Sequence, residues 1–220
     1  MKEITDLHSS FQYKDDVNVP EGDIAIKVSL TGLKGGHSEL DIHLQRANAN
    51  KLMFRFLKEA VQDYGARLAS ISGGSVRDAI PHETFAIVTI PGDDECEGFF
   101  ELVSDYQDLF KEEYRGIEDN INFITEQVEL PQSLIPEEIQ DDLINAVEGC
   151  QNGVLGFLNG FPDTVETSSN LAIVKSSEGR IDVKILVRSS SESKRMAVCS
   201  SLESVFALAG AKVEFDDDKL

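Results

Sequence analysis

Residues 35–38 read Gly-Gly-His-Ser, placing a side chain that can donate, accept and titrate beside permissive backbone. His37 follows an alternating segment and precedes a helical one, which predicts a position beside the unpaired N–H groups of a helix N-terminus. The positive end of the macrodipole favours a neutral imidazole there, able to donate a hydrogen bond to an oxygen gaining negative charge. The two glycines would let backbone and substrate approach closely. The plainer reading makes His37 a polar loop residue, with Ser38 or Asp41 capping the helix. A metal site shared with His43 would need further ligands that this neighbourhood does not supply. His8 and His82 are isolated in sequence and read as solvated.

Other reactive groups point to no further chemistry. Cys96, Cys150 and Cys199 are odd in number, far apart and lack CxxC spacing, so neither a disulfide framework nor a zinc knuckle is indicated, and a reducing cytoplasm fits. The acidic clusters at 93–95, 137–142 and 216–218 lack the alternating ligands and central glycine of a calcium loop and read as solvated surface. Forty acidic against twenty basic residues give a formal net charge of −20, which repels phosphate backbones and anionic lipid alike. Nucleic-acid and membrane partners are not expected. The N-terminal stretch has no apolar core of a signal peptide, and no run approaches the roughly 18 apolar residues of a membrane span. A soluble, non-exported protein is the expectation.

The elements that must position His37 follow from periodicity. Ile24, Ile26, Val28 and Leu30 alternate as in a half-buried strand. From Leu44 the apolar spacing changes to three and four residues through Ala47, Met53, Phe56, Leu57, Ala60 and Tyr64, and Gly65 supplies a stop, so a helix is predicted. Two strands separated by a turn-rich segment, a helix through Phe99, Val103, Tyr106 and Phe110, and the strand at 121–130 complete a βαββαβ pattern over 23–130. The proline-bearing stretch 131–138 is the expected joint. Over 131–220 the pattern reads αβββαβ: a helix with Pro136 near its first turn, three strands, a helix with Ser189 and Glu192 at capping-box spacing and Gly210 at its end, and a last strand. Residues 1–22 read as an N-terminal linker. The fold class expected is α+β: two βαββαβ-like halves, an antiparallel sheet with helices on one face.

The runs GLKGGHSELDIHLQRANANK and ISGGSVRDAIPHETFAIV, with ETSSNLAIV, VKILVRSS and GAKVEF further on, resemble the lid segment of aminoacyl-histidine dipeptidases. These are the Xaa-His, carnosine-cleaving branch of the zinc metallopeptidases that include carboxypeptidase G and aminoacylase. The resemblance implies a lid and dimerisation domain that closes over a bimetal centre held by a separate catalytic domain. Neither an H-x-D motif nor a comparable Glu-Glu pair occurs in this chain. Zinc is therefore expected outside it, and the chain alone is expected to be inactive.

Carried over by position, His37 matches the family histidine that stabilises the tetrahedral oxyanion. Arg188 matches the lid arginine that pairs with the substrate's terminal carboxylate, and Asp78 falls where the family has a substrate-holding asparagine. Asn170 is a further substrate-side candidate. Glu39 stands in place of a glycine and His82 in place of an arginine, and an ionised Asp78 cannot donate a hydrogen bond. On the pattern alone, Arg188 lies opposite the apolar row Ile181, Val183, Ile185 and Val187, where a surface ion pair would serve equally well. The implied partners are a dipeptide, the catalytic domain and a second copy of the chain. A non-catalytic α+β module binding a ligand or partner is the alternative.

Overall fold

The computed structural model describes residues 3–92 and 96–216. The acidic run at 93–95 and residues 217–218 of the last cluster lie outside them. In chain order the elements are β1 (Glu3–Gln12), β2 (Asp23–Thr31), β3 (Gly36–His37), a single 3₁₀ turn (Ile42–Leu44), α1 (Ala49–Tyr64), β4 (Arg67–Gly73), β5 (Ala79–Ile80) and β6 (Thr84–Pro91). These are followed by α2 (Cys96–Glu113), β7 (Asn122–Val128), α3 (Glu137–Gly149), β8 (Gly153–Leu158), β9 (Phe161–Ser177), β10 (Arg180–Ser189), α4 (Glu192–Leu208) and β11 (Lys212–Asp216).

The main antiparallel sheet runs β11-β1-β10-β9-β4-β6-β2-β7, with β8 added to the free flank of β9, while β3 and β5 pair as a separate ribbon. Within each half the order has one logic. β7-β2-β6-β4 is the fourth, first, third and second strand of the first half. β11-β1-β10-β9 is the same series for the second half, provided its first strand is β1. Each half is thus a βαββαβ unit of split-βαβ type, and the first is inserted between the opening strand and the opening helix of the second.

This corrects the reading of residues 1–22 as a linker. Residues 3–12 pair with β10 along their full length, from Glu3 with Ser189 to Gln12 with Arg180, and with β11 on the other side. Leu7 and Phe11 point into the core. The segment carries Ser, His and Gln between its apolar residues, so its alternation is weak, but register with two neighbours compensates for low propensity.

The halves meet where β4 pairs with β9 at Ser72 with Lys175 and Gly73 with Val174. One hydrophobic cluster runs through both, taking Phe56 and Leu57 from α1, Phe99 and Phe110 from α2, Leu143 and Val147 from α3, and Leu202 and Phe206 from α4. Phe56 stacks edge-on against Phe99, Tyr106 and Phe123 at 5.8, 5.5 and 5.0 Å, and such pairs add about 0.5–1.5 kcal/mol each beyond their area burial. The expected joint is itself packed, since Leu134 and Ile135 are buried and the Ile135 N–H donates to Leu68 O.

α1 starts five residues later than its apolar spacing predicts. Gln45 takes a left-handed conformation (φ 53°) that ends the 3₁₀ turn, and Leu44 is exposed. Asn48 is the N-cap, its side chain accepting from the Asn50 and Lys51 N–H groups. At the other end Gly65 closes the helix in the left-handed region, as expected. In α4 the cap is Ser191, accepting from the Lys194 N–H, while Ser189 Oγ accepts from the Ser191 N–H.

Candidate functional site

The ribbon of β3 and β5 lies over the sheet face opposite the helices, against β9. His37 pairs with Ala79 and Gly36 with Ile80, and Ile42 and Ile80 pack with Val165 in a small separate cluster. His37 is therefore not at the N-terminus of α1. It sits on a two-residue strand and its side chain is exposed. Its own hydrogen bonds set the ring. The His37 N–H donates to Asp41 Oδ2 at 2.8 Å, and the Glu39 N–H donates to His37 Nδ1 at 3.1 Å. A backbone N–H can only donate, so Nδ1 is the acceptor and, in the neutral ring, Nε2 carries the proton. The exposed edge of His37 is a hydrogen-bond donor.

The loop around His37 is pinned by groups far away in sequence. Glu118 is buried, and its two carboxylate oxygens accept the Lys34 N–H at 2.7 Å and the Ala47 N–H at 3.1 Å, bracing both ends of the loop. Arg46 donates to Gly35 O at 2.6 Å and lies 3.7 Å from Asp41. Gly36 has φ 141°, and a Cβ there would come within 2.6 Å of both Arg46 and Asp41, so only glycine fits. Sequence reading singled out neither Glu118 nor Arg46. Glu118 stands in an acidic loop after α2, with nothing nearby to announce its two amide partners.

Arg188 is brought to the same place. It points away from the apolar row of β10, as its alternation predicts, yet its side chain is only 6% exposed. Its NH2 donates to Asp78 Oδ1 at 3.0 Å and its NH1 to Glu39 Oε2 at 3.3 Å. The two carboxylates that depart from the family pattern thus converge on this one guanidinium. Asp78 adds a backbone link, its carbonyl accepting the Ser38 N–H at 2.7 Å. Arg77 pairs with Asp6 of β1. His82 is exposed beneath Gly35. His8, expected to be solvated, forms a half-buried pair with Asp182 at 2.7 Å.

Asn170 lies on the same sheet face as Arg188, its Nδ2 donating to Ala79 O at 2.8 Å. It holds β5 in place and also lines a cleft of about 620 Å³ with Arg46, Asn48, Ile80, Tyr114 and Asn152. Burial raises the Tyr114 phenol above its ordinary value, and the Glu113 charge adds to this. The asparagines of the 48–51 segment tie the halves together. Asn48 Nδ2 donates to Leu171 O at 3.0 Å and Asn152 Oδ1 at 3.2 Å, and Asn50 Nδ2 donates to Leu171 O at 3.5 Å. Lys51 Nζ donates to the Val147, Glu148 and Cys150 carbonyls at the end of α3.

Among the described residues, no group of three or more His, Cys, Asp or Glu side chains could hold a metal ion. Around His37 the donors are already engaged, since Asp41 accepts the His37 N–H while Glu39 and Asp78 bind Arg188. These residues do not fit a zinc centre. No helix among the described residues is long and apolar enough to cross a membrane.

This fold defines a known class. Residues 28–118 match the peptidase dimerisation domain, and this segment belongs to that family. It is 35% identical to the cytosol non-specific dipeptidase of Escherichia coli (strain K12) over 196 residues, which are 89% of this chain and 40% of that protein. The crystal structure of aminoacylhistidine dipeptidase from Vibrio alginolyticus matches with a TM-score of 0.94 at 37% identity, over 98% of this chain and 44% of that one. The chain is thus a homologue of the dimerisation domain of these dipeptidases, and it spans less than half the length of either relative.

Proposed function

We propose that this chain is the lid of a dipeptidase hydrolysing Xaa-His-type dipeptides, closing over a bimetal centre and presenting His37 Nε2–H to the oxyanion of the cleaved amide. The observation that carries this reading is the Glu39 N–H on His37 Nδ1, which leaves the outward ring nitrogen as the donor. A donor already aimed at the position where charge develops needs no reorganisation during the reaction. The metal, zinc by resemblance, belongs to a separate catalytic domain and would supply the activated water. Closure of the lid excludes bulk water from that reaction.

Arg188, Asp78 and Asn170 form the substrate side of the site in this reading. Because Asp78 and Glu39 already bind the Arg188 guanidinium, a substrate carboxylate competes with them for it. Asn170 acts from behind by holding Ala79. The partners are the catalytic domain, a dipeptide and a second copy of the chain, and the setting is the cytoplasm, in keeping with the name of the Escherichia coli relative.

The test is dipeptide hydrolysis by whichever polypeptide or complex joins this chain to the metal centre, comparing the parent with His37→Ala. The expected result is a fall in kcat of about 10²–10³ with KM little changed. An unchanged kcat would sink the oxyanion role. It would instead favour a non-catalytic binding module, a reading that the already neutralised Arg188 supports.

A further inference from the structure

The same site contains a device that acts on His37 through the residues beside it. We propose that Arg188 is a positioning residue for His37, holding the loop that fixes the ring as its Nε2–H tautomer. The inference rests on the reading of His37 as the hydrogen-bond donor.

Two links run from the guanidinium to the histidine. NH1 holds the Glu39 carboxylate at 3.3 Å, and the N–H of the same residue donates to His37 Nδ1 at 3.1 Å. NH2 holds the Asp78 carboxylate at 3.0 Å, and the carbonyl of the same residue accepts the Ser38 N–H at 2.7 Å. Glu39, which donates to the His37 ring, and Asp78, which holds the adjacent Ser38, are thus each gripped by Arg188 through their side chains. The anchor is rigid. Arg188 lies in β10, where it pairs with Ile4 on one side and Ser168 on the other, so its backbone is fixed in the middle of the second half. Glu39 and Asp78 are 41% and 38% exposed, and neither lies in the main sheet. Without the guanidinium, Glu39 would lose this ion pair and Asp78 would keep only the longer one to Arg77, at 3.8 Å.

The geometry selects one tautomer because the Glu39 N–H can satisfy only a bare ring nitrogen. If Glu39 swings away, Nδ1 loses its donor and the ring is free to carry its proton on either nitrogen. Arg188→Lys keeps one charge but loses the fork that reaches both carboxylates.

The experiment is long-range ¹H–¹⁵N correlation NMR of the imidazole rings in the ¹⁵N-labelled chain at alkaline pH, with amide hydrogen exchange at Glu39. The parent chain is expected to show an unprotonated Nδ1 and a protonated Nε2 at His37, with a protected Glu39 amide. Arg188→Gln and Arg188→Lys should average the two ring nitrogens and speed Glu39 exchange by at least about tenfold. Glu39→Ala, which leaves the Arg188–Asp78 pair intact, provides the second variant should Arg188→Gln not fold, and it should give the same averaging. An unaltered His37 tautomer in a folded Arg188→Gln or Glu39→Ala chain overturns the proposal. The proposal and the catalytic reading can fail separately. Loss of the tautomer with full turnover in His37→Ala would remove only the catalytic role, while an unaltered tautomer with kcat lost in His37→Ala would remove only the positioning role.

Discussion

Glu118→Gln isolates the support beneath the histidine loop. The carboxylate is buried and accepts two backbone N–H groups, from Lys34 at 2.7 Å and Ala47 at 3.1 Å. Glutamine keeps the size but replaces one acceptor oxygen with a donor nitrogen, so whichever way the amide turns, one N–H faces an NH₂. The lost hydrogen bond to a charged acceptor is worth about 1.5–3 kcal/mol, and the stranded buried N–H costs about 1–3 kcal/mol more. Allowing the loop to relax, the expected destabilisation is about 2–4 kcal/mol. This is a large share of the roughly 5–15 kcal/mol that holds a typical domain.

Urea unfolding followed by circular dichroism measures the global loss, and amide exchange at Lys34 and Ala47 locates it. Both amides should lose protection while those in β10 keep theirs. A stability change under about 0.5 kcal/mol, the range of an ordinary surface substitution, with both amides still protected would refute the idea that Glu118 braces the loop.

Lys51→Met should cost about 2–4 kcal/mol in the same urea assay. It removes a charge-assisted donor from three carbonyls at the negative end of α3, and a loss below 1 kcal/mol would argue against that cap. Cys150 is buried and its thiol is pushed up to about 11, chiefly by desolvation, so a thiol reagent at pH 8 should leave it unmodified until denaturant is added. For Asp182, burial pushes the carboxyl up, but hydrogen bonds from His8 and Arg180 outweigh it and hold the group below its ordinary 3.8. A depressed value means stability present at neutral pH and lost as pH falls through the folded value. Asp182→Asn should therefore cost under about 1 kcal/mol at pH 7, the pair being partly exposed, and nothing by about pH 2. A cost that persists in acid would contradict the assignment.

The strand and helix order from 23 onward was legible because most of its segments have a clear period and a punctuating Gly or Pro. β2 alternates cleanly, α1 and α2 carry apolar faces, and Pro136 marks the start of α3. What was not legible depends on partners distant in the chain. β1 alternates weakly and acquires its identity from β10 and β11, more than 160 residues away. The start of α1 was misplaced because Leu44 and Ala47 continue the helical spacing by chance, while the physical stop is the left-handed Gln45 and the physical start is the Asn48 cap. At the site, the histidine was visible as a motif, but its environment was not. The macrodipole argument placed His37 against a helix, whereas a two-residue ribbon and a backbone donor set its ring.

Glu39 and Asp78 show why the environment matters more than the motif. Read one at a time, each substitution puts an acidic side chain where the family pattern has a neutral residue, and each alone suggests a site repelling an anionic substrate. The fold brings both to one guanidinium on β10. Arg188 thus offsets charge on both carboxylates, with Arg77 3.8 Å from Asp78, and each carboxylate also holds in place a residue whose backbone bonds at His37 or Ser38. Reverting only one of them would leave Arg188, at 6% side-chain exposure, with half of its pairing and the loop with half of its anchorage. Contacting residues of this kind are expected to be energetically coupled. The pair is therefore better understood as one structural unit built around Arg188 than as two independent charges, and the orientation of His37 is the property on which that unit acts.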